Sequence, residues 1–151
     1  MIRRSKFNVS KDKTKRTCDG IEFDSELEMR YYRNVIKKSI DAGTIKKFAR
    51  QQKFVLQPAF KHNEKIVRAI EYKADFVIDY ADGRTEAIDI KGFATPEAQI
   101  KKKLFLYVYP EIDYKWIGYS KIDSLDGSGF VDYEMIKEGQ RARKKQKELR
   151  E

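Results

Sequence analysis

The chain has one cysteine, one histidine and three prolines in 151 residues, and no apolar run approaches the ~20 residues of a membrane span. Each scarcity excludes something. Cys18 alone cannot close an internal disulfide, which points to a reducing, cytoplasmic compartment. His62 alone cannot build a paired-histidine hydrolase or a Cys/His zinc site. It sits in "KHNEK", which reads as an exposed turn. Metal chemistry must therefore rest on carboxylates, which suit magnesium or manganese. The N-terminus is basic with no apolar block behind it, unlike a secretory signal.

What is abundant is charge and aromatic side chain, at 38% and 13% of residues. The aromatic and branched residues suffice for a packed core, and the length suits one compact domain. The net charge of +9 is unevenly placed: +6 falls in residues 1–16 and +4 in residues 137–151, leaving −1 in the body. The expected organisation is a mobile basic arm (1–16), a central domain (17–132) and a basic helical tail (133–151). Two basic ends on a nearly neutral body suggest phosphate-backbone binding. The expected contacts are Lys101, Lys102 and Lys103 in the body, and Arg141, Arg143, Lys144 and Lys145 in the tail.

Hydrophobic periodicity gives an α/β order of helix, three strands, helix, strand, with a mixed sheet flanked by helices. "CDGIEF" carries an Asp-Gly turn signal. Ser25 then caps a helix, with Glu28 in capping-box position and Tyr32, Val35, Ile36 and Ile40 at helical spacing. Gly43 ends it. "KFVLQPAF" reads as a strand with Pro58 at an edge or bulge. "IVRAIEYKADFVIDY" and "TEAIDIKG" follow as strands joined by "ADGR". Pro96 opens a second helix that places Ile100, Leu104, Tyr107 and Val108 on one side. "DYKWIGYS" is a last strand and "SLDGSGF" a loop.

An acid, one spacer and a lysine occur at Glu71-Tyr72-Lys73, Asp89-Ile90-Lys91 and Asp113-Tyr114-Lys115. The middle copy differs in ending a strand whose predecessor carries Asp75. Residues two apart on a strand share a face, so Asp89 and Lys91 go together. Whether Asp75 joins them depends on the turn. A two-residue turn at Asp82-Gly83 sets Asp75 opposite Ile90. A three-residue loop, Ala81-Asp82-Gly83, pairs Tyr80 with Arg84 and sets Asp75 opposite Asp89. That loop is a type I turn with a glycine bulge, and it wants glycine third, in the left-handed region. Gly83 is there. Two opposed carboxylates repel unless a cation binds. The plain alternative is a surface lattice of ion pairs.

"FDSELE", "LQP", "ADF" and "IDIKGF", in this order, resemble the PD-(D/E)XK nucleases. From Phe23 to about Tyr114 the chain is similar to a phage- and prophage-borne branch catalogued as a domain of unknown function, with "YKADF" and a "KKKLF" helix. The resemblance implies a restriction-endonuclease-like core, cleavage of phosphodiesters with Mg2+ or Mn2+, and frequent homodimers. It makes Asp75 and Asp89 metal ligands, with the Ile90 carbonyl as a third oxygen, Lys91 the catalytic lysine and Glu28 the helix carboxylate that can reach the same metal. Gln57 matches a strand glutamine near the site. Two departures stand out: Asp89 where glutamate is commoner, and Ala74 where the proline of the family name would be. The expected function is a metal-dependent endodeoxyribonuclease acting in phage replication or recombination, in the host cytoplasm, on DNA such as a four-way junction (as a Holliday junction resolvase does). The alternatives are a non-catalytic nucleic-acid-binding protein and a nicking subunit of a larger DNA-processing complex.

Overall fold

The computed structural model of the chain describes residues 11–150. Arg3, Arg4 and Lys6 of the basic arm lie outside them. Residues 11–16, the described part of the arm, are tied down. Asp12 caps a 3-10 turn, Lys13–Arg16, by accepting from Thr14 N. Arg16 donates to the Phe23 carbonyl at 2.7 Å and pairs with Glu22 at 2.9 Å.

The chain is mixed α/β. A small hairpin, β1 (Thr17–Cys18) and β2 (Ile21–Glu22), leads to α1 (Glu26–Tyr31), a π-helical turn (Tyr32–Ile36) and α2 (Lys37–Asp41). Then come β3 (Ile45–Gln57), a separate two-stranded ribbon of β4 (Phe60–His62) and β5 (Lys65–Val67), β6 (Ile70–Tyr80) and β7 (Thr85–Ile90). The chain ends with α3 (Pro96–Val108), β8 (Asp113–Tyr119), β9 (Phe130–Asp132) and α4 (Tyr133–Glu148). One mixed five-stranded sheet has the order β3-β6-β7-β8-β9. Strand β3 lies at its edge, as Pro58 just beyond its end requires.

The sequence order is matched only loosely. The long β run divides into β5 and β6, and the ribbon is set apart from the main sheet. Part of the predicted "SLDGSGF" loop becomes β9, which pairs antiparallel with β8. Among the described residues no helix is long and apolar enough to cross a membrane.

Contacts divide the chain into two units. One comprises the chain up to Ala42, Ile90–Gly92 and Trp116 onward; the other comprises Gly43–Asp89 and Phe93–Lys115.

The second unit is built on one face of β3 and β6. Phe54 and Tyr72 are cross-strand partners on that face. Helix α3 covers them with Phe105, whose ring meets those of Phe54, Tyr72, Tyr109 and Tyr114 at 5.0, 5.5, 5.1 and 4.6 Å. Such pairs add about 0.5–1.5 kcal/mol each beyond area burial. The buried face of α3 is therefore centred on Phe105. The predicted stripe is displaced: Ile100 and Tyr107 are 61% and 85% exposed, and Val108 is exposed too. One aromatic cluster, rather than a count of apolar positions, sets the rotation of the helix. Thr95 caps it by accepting from Ala98 N, and Pro96 occupies its first turn.

The first unit packs the N-terminal helix and α4 around other aromatics. Phe23 is fully buried against Tyr32, Tyr31 meets Phe130, and Trp116 meets Tyr133. Ser25 is the predicted cap, accepting from Glu28 N at 3.1 Å. Tyr32 and Ile36 are buried as the spacing predicts, but Ile40 is exposed. The π turn is the reason. It inserts an extra residue and rotates everything after it off the stripe. The predicted tail is likewise part of the fold: Tyr133 and Ile136 of α4 are buried. Gly118 permits this approach, because a Cβ there would lie 2.6 Å from the Ile136 side chain.

Candidate carboxylate site

The turn after β6 is the three-residue loop. Tyr80 N donates to the Arg84 carbonyl at 2.9 Å, and Gly83 N donates to the Tyr80 carbonyl at 3.1 Å. Gly83 has φ +91°, the left-handed conformation its position demands. Asp82 holds the loop from outside, accepting from Arg84 N at 3.0 Å and from the Arg84 guanidinium at 2.8 Å.

This loop fixes the register of β6 and β7. Asp79 pairs with Thr85, Ile78 with Glu86, Val77 with Ala87 and Phe76 with Ile88. The next position sets Asp75 opposite Asp89. Opposed residues of an antiparallel pair share a face. By that register the two carboxylates fall on one face of the sheet, Asp75 half-buried and Asp89 only 9% exposed.

The row extends to β3. There Arg50 pairs with Phe76 and Gln52 with Ala74, so the register sets Gln51 opposite Asp75. Gln51 is unusual twice. Its φ is +54° in the middle of a thirteen-residue strand. A non-glycine residue held there costs on the order of 1–2 kcal/mol. Its side-chain amide oxygen and nitrogen are both sealed from solvent and have no hydrogen-bond partner. A buried amide left so costs about 1–3 kcal/mol for each orphaned group. Gln57 does not belong to this row. It pairs with Ile70 at the far end of β3, six residues from Gln51, or roughly 20 Å along the strand.

The carboxylates also act on a neighbour. Burial first, and then the charge of Asp89, push the Tyr72 hydroxyl well above the ordinary tyrosine range. Tyr72 stays neutral at any working pH.

Lys91 and Glu28 belong to the first unit. Lys91 N donates to the Ile117 carbonyl at 2.7 Å, just past the end of β7, and its ammonium lies 5.1 Å from the centre of the Trp116 ring. Ile90 is the last residue of β7. Glu28 is 7% exposed and accepts from the Ser25 hydroxyl at 3.3 Å.

The other two acid-x-lysine copies are occupied by structural pairing. Glu71 meets Lys53 at 3.6 Å. Lys115 meets the buried Glu86 at 2.9 Å and Asp113 at 3.3 Å. Burial alone would lower the Lys115 ammonium; its bonds to Glu86 and Asp113 outweigh that and raise it.

The predicted phosphate contacts are not equivalent. Of the α3 cluster only Lys103 is well exposed, and Lys101 pairs with Glu97 at 3.3 Å. Lys102 is half-buried. In α4, Arg143 is spent on Asp123, in a two-pronged bond of 2.7 and 3.1 Å. That pairing holds the Asp123 carboxyl below its ordinary range. Gly139 leaves the room it needs, since a Cβ there would collide with Asp123. Arg141, Lys144 and Lys145 are exposed.

Magnesium and manganese take hard oxygen ligands. Among the described residues no group of three or more Asp, Glu, His or Cys side chains is arranged to hold a metal ion. The row offers two carboxylates and an amide carbonyl, and that donor chemistry fits such a cation.

A family model described as a protein of unknown function (DUF1064) matches residues 4–124. The chain belongs to this family. The matched span takes in β1 to β8 and every member of the row, and ends before β9 and α4. No curated protein matches the chain.

Sequence reasoning missed Gln51. A trace of it is visible in "RQQKF", where two adjacent amides interrupt a strand. Nothing in residue type announces a left-handed glutamine.

Proposed function

We propose that the chain is a metal-dependent endodeoxyribonuclease of the PD-(D/E)XK kind, with a restriction-endonuclease-like core. The observation that carries this reading is the register that opposes Asp75 and Asp89, with Lys91 two residues further along the chain. Carboxylate opposite carboxylate is costly, and a bound cation offsets that cost.

Asp75 and Asp89, with the Ile90 carbonyl, would hold Mg2+ or Mn2+. The bound ion supplies Lewis-acid activation of water and of the phosphodiester. Lys91 orients the attacking water and offsets the negative charge that develops on the phosphate. Glu28 carries the fourth role that the resemblance gives. DNA reaches the site through phosphate contacts from the basic residues of the chain, and branched DNA is proposed as the substrate by analogy with other nucleases of that fold. Homodimers, common in that superfamily, are expected here.

The test is cleavage of linear, nicked and four-way-junction DNA with Mg2+, Mn2+ or EDTA. Cutting should need the cation and fall about a hundredfold or more in Asp75→Ala, Asp89→Ala and Lys91→Ala. Glu28→Gln should impair cutting while leaving the helix cap, since glutamine also serves that motif. Tight DNA binding without cutting under any condition would favour a non-catalytic binding protein instead.

A further inference from the structure

We infer that Gln51 is a further oxygen ligand of the cation held by Asp75, Asp89 and the Ile90 carbonyl, supplied from β3 through its side-chain carbonyl. The inference rests on the cation-site reading above and adds a residue that neither the acid-x-lysine pattern nor the helix glutamate includes. The geometry is a row across three neighbouring strands: the pairs on either side place Gln51 at the position facing Asp75, and the β6–β7 register, continued one step past Phe76 and Ile88, places Asp75 facing Asp89.

Gln51 combines two unfavourable features at that one position. The ladder keeps the same register on both sides of it, so its φ of +54° is a single-residue departure and not an inserted bulge. Both amide atoms are buried and unpartnered. Asp19, Asn63 and Glu64, the other described non-glycine residues with positive φ, sit in hairpin turns. Gln51 alone has this conformation inside a strand. A strand that only had to pair would be better served there by an ordinary extended residue. A carbonyl oxygen beside two carboxylates completes an all-oxygen donor set for a divalent ion. The amide nitrogen stays free to donate to an oxygen that the ion also binds, either water or phosphate. Being neutral, the amide adds a ligand without adding a third repelling charge.

The experiment is Mn2+ binding to the full chain, without DNA, measured by the electron paramagnetic resonance of free Mn2+ and by the thermal shift that Mn2+ produces. Gln51→Gly relieves the backbone and removes the ligand. It should raise the Tm of the metal-free protein and weaken Mn2+ binding about tenfold or more. Gln51→Glu keeps the shape and adds charge, and should tighten Mn2+ binding. Asp89→Asn is run beside them. Gln51→Gly binding Mn2+ as tightly as wild type, while Asp89→Asn does not, would overturn the role of Gln51 and leave the carboxylate site standing. Wild type binding no Mn2+, or binding it no better than Asp89→Asn, would overturn the cation site itself.

Discussion

The β6–β7 hairpin treats its acids in two ways. Near the turn each acid has a partner of opposite or neutral character. Asp79 accepts from the Thr85 hydroxyl at 2.6 Å and meets Lys47 at 3.4 Å. Glu86 takes Lys115 at 2.9 Å and the Tyr80 hydroxyl at 3.3 Å. Further from the turn, at the next cross-strand pair beyond Phe76 and Ile88, the register sets Asp75 against Asp89, with Gln51 beside them on β3. The same two strands, under one register, thus set acid against hydroxyl and lysine near the turn and acid opposite acid one step beyond Phe76 and Ile88. Acid-x-lysine spacing alone does not separate them, since Asp113-Tyr114-Lys115 has it too. What separates them is who stands opposite.

The largest effect expected from this contrast is on chemistry. Asp75→Ala should cost a hundredfold or more in cleavage rate, on the order of 3 kcal/mol of transition-state stabilisation. Glu86→Gln, on the same hairpin, should leave the rate within a few-fold of wild type. Next comes stability. Lys115→Met strips the buried Glu86 of its ammonium and leaves it the Tyr80 hydroxyl, and should cost about 1–3 kcal/mol. Chemical denaturation read by circular dichroism measures it. Lys91→Met should cost less stability and far more activity.

A smaller effect separates the basic residues of α4. Each lost phosphate contact should flatten the salt dependence of duplex DNA binding by about 0.9 in log–log slope. Lys144→Ala and Lys145→Ala should do so. Arg143→Ala should instead lower Tm with little change in slope, because its guanidinium is committed to Asp123. Fluorescence anisotropy over a salt series tells them apart.

The smallest effect is at acid pH. The Thr85 hydroxyl first, and then Lys47, hold the Asp79 carboxyl below its ordinary value. A depressed carboxylate stabilises the fold fully above its unfolded pKa of about 3.9 and loses that contribution as pH falls through the folded pKa. Thr85→Val should therefore lose stability near neutrality and show a shallower decline below about pH 4, in urea titrations across that range.

Much of this was legible in the sequence because turn chemistry is local. Gly83 as the third residue of its loop fixed the register, and the register fixed which acids face each other. Ser25, Gly43 and Pro96 act at helix ends within a few residues of themselves, so they too could be read. The rotation of α3 could not, because Phe105 gathers Phe54, Tyr72 and Tyr114 from three strands distant in sequence. The π turn that exposes Ile40 has no residue-type signature. Gln57 was a candidate by resemblance; the β3–β6 pairing sets it against Ile70, and the pairs around Gln51 put that residue at the position facing Asp75. Arg143 reads as one more tail cation until the fold brings Asp123 to it.

The most direct measurement is a time course of four-way-junction and plasmid cleavage by wild type, Asp89→Asn and Glu86→Gln, each folded by circular dichroism, with Mg2+ and with EDTA. The account predicts that wild type and Glu86→Gln cut at similar rates with Mg2+ and not with EDTA, and that Asp89→Asn cuts with neither. Equal cutting by Asp89→Asn and wild type, or cutting that persists in EDTA, would contradict it.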